Sequence, residues 1–167
     1  MLNQKQLQTI INLQLILDLA IAKKRKIIDN QEILIAKFLA LIVEIAEFAN
    51  ERRSFKYWSS KPASSKKILL EEYIDGLHFI VSIANSLNLK IIDLVVTQQK
   101  YDNLNLAFLD LLAVTLKLLA QKSLVVINQW FNIYYSIAKM CDFSDTDIFE
   151  CYLNKNQINH LRQEQNY

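Results

Sequence analysis

The chain has 167 residues, of which 52% are hydrophobic and 22% charged, and it contains one glycine and one proline. This length and composition predict one globular domain over residues 1–167, and so few turn-forming residues argue against an all-β fold. The net charge of +2 gives no electrostatic case for a nucleic-acid partner. We expect no membrane partner either, because no stretch approaches the roughly 18 apolar residues of a membrane span. The two cysteines match no metal-binding spacing, which favours a reducing, cytoplasmic location.

Apolar periodicity and capping residues predict six helices in chain order, at about residues 3–24, 29–53, 65–87, 104–122, 123–140 and 144–163. Asp29 and Glu32 have the spacing of a capping box at the start of the second helix. Ser144 and Asp147 have the same spacing at the start of the sixth. These elements predict an all-α, single-domain bundle.

Two stretches between the helices are less regular. Residues 54–66 are rich in serine and include the proline, so we predict a loop there. Residues 88–103 are ambiguous, and their 90–97 part fits either a short strand or a helical turn. We favour the helical turn, because no partner strand is visible.

Two pairs of carboxylates interrupt apolar helices. Glu44 and Glu47 form one pair, and Glu72 and Asp75 form the other. Each pair has i, i+3 spacing, which places both side chains on one helix face, and the apolar surroundings predict a position at or near the interior. Burying like charges is costly, and divalent cations bound by oxygen ligands compensate for it, most often Mg²⁺ used with phosphate. The same spacing also suits solvated surface charges, because Glu is a strong helix former.

Gly76 follows Asp75 inside an apolar helix, where a glycine costs about 1 kcal/mol relative to alanine. Such a glycine predicts that another backbone or a ligand comes close. Close packing of the two carboxylate helices is a sufficient reason for it.

Three parts of the sequence together carry a family resemblance. The central part contains EIAEFANE from Glu44, FKYW from Phe55 and EEYIDGLHF from Glu71. The part near the C-terminus reads YLNKNQINHLRQ from Tyr152, and the part near the N-terminus reads QLILD from Gln14. This combination resembles the all-α dimeric dUTPases, which belong with the MazG-like nucleotide pyrophosphatases. Residues 90–143 carry no motif that matches.

The resemblance implies a metal site and a catalytic carboxylate. The ExxE…ExxD motif corresponds to Glu44, Glu47, Glu72 and Asp75, which would bind two or more Mg²⁺ ions, with Mn²⁺ as a substitute. Glu47 would orient and deprotonate the attacking water. Clustered carboxylates with Mg²⁺ suit cleavage of a triphosphate, since they neutralise charge and activate water.

Four residues are predicted to bind the substrate, and three of them are cations that suit its phosphates. Lys155 and Arg162 lie on one face of the last predicted helix and suit phosphate, Arg as a fork and Lys as a point charge. Lys56 is a similar candidate in the loop, and the resemblance adds Asn156. Solvated surface charges are the alternative interpretation for the three cations.

Four further residues are predicted to bind the nucleoside. The Gln14 amide can both donate and accept, which matches the edge of uracil, and Asp18 lies one turn further on. Trp58 is a candidate wall for the base or an anchor for its loop. The resemblance places His78 near the nucleotide, although a lone histidine on an apolar helix is more often a core residue.

Taken together, these features predict a Mg²⁺-dependent dUTP diphosphatase that hydrolyses dUTP, a deoxyuridine nucleotide, to dUMP and diphosphate. Two alternatives stay open: a MazG-like pyrophosphatase for another nucleoside triphosphate such as dCTP, and an inactive helical interaction protein. Segments 104–119 and 124–137 are apolar on too many faces for one core. We therefore expect a homodimer whose two-fold interface is built largely from them.

Overall fold

The computed structural model describes residues 2–28 and 30–165. Within these ranges the chain forms six α-helices and no strand: α1 (Gln4–Arg25), α2 (Gln31–Arg52), α3 (Lys66–Ser86), α4 (Leu104–Gln121), α5 (Leu124–Met140) and α6 (Asp145–Glu164). The predicted all-α bundle is confirmed.

Short polar side chains start the helices by accepting a hydrogen bond from a backbone N–H of the first turn. The N-cap residues are Asn3, Asn30, Ser65, Asn103, Ser123 and Ser144. The predicted capping box of Ser144 and Asp147 is confirmed. The box predicted at Asp29 lies outside the described residues, and Asn30 is the N-cap of α2.

Helix α3 is the central element of the bundle. It packs along α2 on one side and against α1 and α6 on the other, while α4 pairs with α5 and also contacts α2. Eleven residues of α3 are buried, and eight of them join one hydrophobic core with residues of the other five helices. Side chains carried by α3 therefore project from an element that packing holds in place.

The segment between α3 and α4 is mostly irregular. A 3₁₀ turn occupies Ile91–Asp93, and residues 94–101 have no regular secondary structure, so the helical prediction holds only for that turn. The backbone N–H of Thr97 donates to Asn132 Oδ1 at 2.8 Å, and that of Gln99 donates to Ser136 Oγ at 2.7 Å. Side chains of α5 thus satisfy backbone groups that a helix would have paired internally.

Helices α4 and α5 differ in exposure. Among the described helices, α4 alone is long and apolar enough by length and composition to cross a membrane, which corrects the expectation that no segment approaches that limit. This is weak evidence for a span, because core helices meet the same measure. α5 buries one face within the chain, and its predicted place in a dimer interface stays a prediction. Its buried side chains include Ile127, Trp130, Ile133, Tyr134 and Ile137.

The close approach predicted at Gly76 comes from a tyrosine of α5. A Cβ at this position would overlap the hydroxyl of Tyr134, which is the nearest group. That hydroxyl donates to the backbone oxygen of Tyr73 at 2.5 Å, and the two tyrosine rings stack with centroids 4.2 Å apart. The prediction that the two carboxylate helices require the glycine is therefore replaced by a contact between α3 and α5.

We expect Gly76→Ala to lower the free energy of unfolding by about 1–2 kcal/mol, because overpacking against the buried Tyr134 hydroxyl outweighs the gain in helix propensity. Urea denaturation measures the change. In a Tyr134→Phe background the same substitution should cost less, since the overlapping oxygen is gone. A Gly76→Ala protein as stable as the wild type would show that this contact is not tight.

Candidate metal and nucleotide site

Three of the four predicted metal ligands meet between α2 and α3. Glu44 from α2 and Glu72 and Asp75 from α3 each offer a carboxylate oxygen, and these oxygens lie within 4.8 Å of one another. All three side chains are half-buried. Glu47 is exposed one turn beyond Glu44 and lies outside this group of three, so its predicted role as a ligand stays a prediction.

The crowding of negative charge changes the acidity of the carboxylates. Burial, followed by the charges of Asp75, Glu47 and Glu72, raises the pKa of Glu44 to about 7. Burial and then the charges of Asp75 and Glu47 also raise the pKa of Glu72. The charge of Glu47 therefore acts on both Glu44 and Glu72, although Glu47 lies at the edge of the site.

Lys155 of α6 pairs with the cluster. Its Nζ lies 2.6 Å from Asp75 Oδ2, and both side chains are about one-fifth exposed. Burial nevertheless raises the pKa of Asp75, against the opposing effect of Lys155. The single positive charge of Lys155 does not neutralise three carboxylates. Carboxylate oxygens are suitable ligands for a hard divalent cation such as Mg²⁺.

A cavity of about 530 Å³ connects the carboxylates with the predicted nucleoside-binding residues. Glu44 and Asp75 line one part of it. Its other polar lining includes Gln14, Asp18, His78, Asn159 and Arg162. A cavity of this size can hold a small-molecule ligand, with charged groups for phosphates and polar groups for a nucleoside.

Three of the four nucleoside-binding candidates belong to one hydrogen-bonded group. Gln14 Nε2 donates to Asp18 Oδ1 at 2.8 Å, which confirms that this i, i+4 pair meets. Gln14 Oε1 accepts from the Tyr152 hydroxyl at 2.9 Å and lies 2.6 Å from His78 Nδ1. The His78 and Tyr152 rings stack with centroids 4.3 Å apart. Tyr152 was missed by the sequence reasoning, although it opens the C-terminal motif.

Arg162 lies on the same cavity as the carboxylates. Its side chain is exposed, and Nη1 donates to Asn159 Oδ1 at 3.5 Å. Burial raises the pKa of Asp75, and the positive charge of Arg162 opposes that rise, with a smaller effect than Lys155. Arg162 and Lys155 therefore both lie near the carboxylates, and their binding of phosphate stays a prediction.

Three other candidates are not brought to the cavity. Lys56, in the loop after α2, donates to Asn50 Oδ1 of that helix. Trp58 is 65% exposed beside Tyr57 in the same loop. Asn156 is buried and donates to the backbone oxygen of Leu13 at 3.5 Å, so it ties α6 to α1. Contact of these three residues with a nucleotide stays a prediction.

Side-chain hydrogen bonds hold the loop after α2 in its position. Arg53 Nη2 donates to Ser59 Oγ at 2.8 Å, and Ser64 Oγ donates to Glu51. Glu51 also contributes, after burial and nearer charges, to raising the pKa of Glu72. Its proximity to the site was missed, although it follows Glu47 by one helical turn.

Comparison with known proteins agrees with this geometry. A family model described as dUTPase matches residues 6–167. No curated protein sequence matches the chain. The matched range contains the carboxylate cluster, the Gln14–His78 group and Lys155. The chain therefore belongs to the dUTPase family and is a nucleotide hydrolase of the dUTPase type.

Proposed function

We propose that the protein is a Mg²⁺-dependent dUTP diphosphatase that hydrolyses dUTP to dUMP and diphosphate. One observation carries the proposal: two of the clustered carboxylates, Glu44 of α2 and Asp75 of α3, line the same cavity as the Gln14, Asp18 and His78 side chains. Family membership supports a nucleotide substrate and suggests a divalent metal. The cavity supports a nucleotide that spans from the acidic cluster to the Gln14 group.

Glu44, Glu72 and Asp75, with Glu47 at their edge, would hold two or more Mg²⁺ ions, and Mn²⁺ would substitute because it accepts the same oxygen ligands. When bound, these ions neutralise charge on the phosphates and make water more acidic. The carboxylates have to be ionised to bind them, which the raised pKa of Glu44 makes dependent on pH.

The remaining roles follow from position. Glu47 is exposed beside the cluster and would accept the proton of the attacking water. Lys155, held at Asp75, brings a positive charge to the place where the phosphates meet the carboxylates. Arg162 would bind a phosphate as a fork. Gln14, Asp18 and His78 would bind the nucleoside.

A nucleotide panel with and without Mg²⁺, read by release of diphosphate, tests the proposal. We expect dUTP to give dUMP and diphosphate at the highest kcat/KM, and EDTA to abolish the reaction. Preference for dCTP would assign the site to another nucleotide. Absence of hydrolysis with every nucleotide, in protein that binds Mg²⁺, would contradict an enzymatic role.

We also propose that the protein is a homodimer. Helices α2 and α4 pack against each other, and both expose apolar side chains to solvent. Six of these are between 45% and 63% exposed: Ile35, Leu39, Val43, Leu106, Leu109 and Leu116. So many large apolar groups on neighbouring helices suit burial against a second copy through a two-fold axis.

Leu109→Asp should convert the dimer into a monomer, because it places a charge in the apolar interface. Light scattering at micromolar concentration measures the mass. Val95→Asp is the matched control, since Val95 is 75% exposed in the segment between α3 and α4 and should leave the dimer intact. A monomeric wild type, or a dimer that tolerates Leu109→Asp, would contradict the proposal.

Glu47→Gln keeps the size of the side chain but removes its charge and basicity. We expect kcat to fall by at least about a hundredfold while the fold persists, since a general base contributes on that scale. Glu150→Gln on the exposed side of α6 is the matched control and should keep wild-type turnover. Near-normal turnover by Glu47→Gln would remove this residue from the mechanism.

The raised pKa of Glu44 predicts how the stability of the metal-free protein depends on pH. The pKa is about 7 in the folded protein against an ordinary value of 4.5, so folding favours the protonated form. This contribution to stability is present at low pH and is lost as the pH rises through about 7. In EDTA we therefore expect Tm to fall between about pH 5 and about pH 8.

Glu44→Gln should reduce that fall, because glutamine does not titrate. Added Mg²⁺ should raise the Tm of the wild type at about pH 8 and have a smaller effect on Glu44→Gln. Glu150→Gln serves again as the control. Equal pH dependence in the wild type and in Glu44→Gln would show that Glu44 does not carry the effect.

A further inference from the structure

The hydrogen bonds around Gln14 determine which of its amide atoms faces each neighbour. The Asp18 carboxylate can only accept, so the amide nitrogen of Gln14 has to face it, at 2.8 Å. The amide oxygen then faces the Tyr152 hydroxyl at 2.9 Å and His78 Nδ1 at 2.6 Å. This orientation follows from the chemistry of the carboxylate.

The orientation of Gln14 in turn determines where His78 carries its proton. An amide oxygen only accepts, so His78 Nδ1 has to be the protonated nitrogen. Burial, reinforced by the charge of Lys155, lowers the pKa of His78 to about 3, so the ring is neutral at physiological pH. A neutral imidazole with a proton on Nδ1 has a lone pair on Nε2, which can only accept a hydrogen bond.

His78 Nε2 is left as a buried acceptor at the cavity. The residue is 6% exposed and lines the cavity together with Asp18 and Asp75. Nε2 itself is buried, and no donor to it occurs within the described part of the chain. A buried polar atom without a partner is costly, so a ligand that supplies a donor gains affinity there.

We propose that Asp18 acts as a positioning residue that, through Gln14, holds His78 as an obligate hydrogen-bond acceptor for the bound nucleotide. The identity of the ligand rests on the proposed function, but the protonation state of His78 does not. A deoxyuridine nucleotide offers two suitable donors, N3–H of the base and the 3′-hydroxyl of the sugar. Cytosine has an acceptor at N3, so an acceptor at His78 would disfavour it if the base is the partner.

The proposal assigns Gln14 a different role from the one predicted. Its oxygen accepts from two groups and one of its N–H bonds is used by Asp18, so only the second N–H remains for a uracil carbonyl and the amide cannot both donate and accept at the base. The hydrogen-bond acceptor for the ligand is instead the imidazole of His78, which Asp18 orients through Gln14.

Nitrogen NMR of the ligand-free protein tests the first step without reference to activity. The chain has two histidines, so His160→Gln assigns the signals of His78. We expect the wild type to show a protonated Nδ1 and an unprotonated Nε2. In Asp18→Asn the Gln14 amide is free to turn, because asparagine can donate as well as accept, and the two tautomers should become mixed. Tyr152→Phe leaves Asp18 in place and should keep the wild-type tautomer.

Kinetics with dUTP, dCTP and 2′,3′-dideoxy-UTP tests the second step and identifies the donor. If His78 accepts from N3–H, Asp18→Asn should narrow the kcat/KM preference for dUTP over dCTP by about tenfold. If it accepts from the 3′-hydroxyl, Asp18→Asn should instead narrow the kcat/KM preference for dUTP over dideoxy-UTP. Asp102→Asn, on the exposed surface, is the control.

A wild-type His78 protonated on Nε2, or a single unchanged tautomer in Asp18→Asn, would overturn the positioning role of Asp18. If Asp18→Asn keeps the wild-type kcat/KM preference for dUTP over both dCTP and dideoxy-UTP, His78 is not an acceptor for the nucleotide. A protein with the expected tautomers that hydrolyses no nucleotide would contradict the proposed function and leave the positioning role supported.

Discussion

The gathering of three half-buried carboxylates between α2 and α3 is the constraint on which the rest of the site depends. Their oxygens lie within 4.8 Å of one another, and Lys155 offsets only part of the charge. The helices cannot easily separate to relieve the repulsion, because α3 is packed on both sides and its Gly76 lies directly against Tyr134. Protonation of Glu44 or binding of cations has to relieve it instead.

Helices α3 and α6 couple the two ends of the cavity. On α3, Asp75 belongs to the acidic cluster and His78, one turn later, belongs to the nucleoside end. On α6, the Tyr152 hydroxyl donates a hydrogen bond to Gln14. Lys155, also one turn later, donates a hydrogen bond to Asp75. The separation between the two ends is therefore set by helix geometry, and a shift of α6 would change both ends together.

Features that depend on neighbouring residues in the chain could be predicted from the sequence. The helix starting at Ser144 follows from its capping box, the Gln14–Asp18 contact from i, i+4 spacing, and the half-buried position of Glu44 and Glu72 from their apolar surroundings. The meeting of the two carboxylate helices required the family resemblance, because periodicity says which face of a helix is buried but not what it packs against.

Contacts between distant parts of the chain could not be predicted. Tyr134 fills the space at Gly76, and Tyr152 bonds Gln14, only because of how whole helices pack. The position of Trp58 depends on side-chain bonds within its loop, such as that of Arg53 to Ser59. The irregular course of 94–101 depends on Asn132 and Ser136 of α5.

The central claim is that the α2–α3 carboxylates bind the metal ions that act on a nucleotide in the adjoining cavity. Anomalous diffraction from crystals grown with Mn²⁺ and a non-hydrolysable dUTP analogue tests it most directly. The account predicts Mn²⁺ peaks bonded to oxygens of Glu44, Glu72 and Asp75, with the nucleoside beside His78. A bound nucleotide with no Mn²⁺ at these three carboxylates would contradict it.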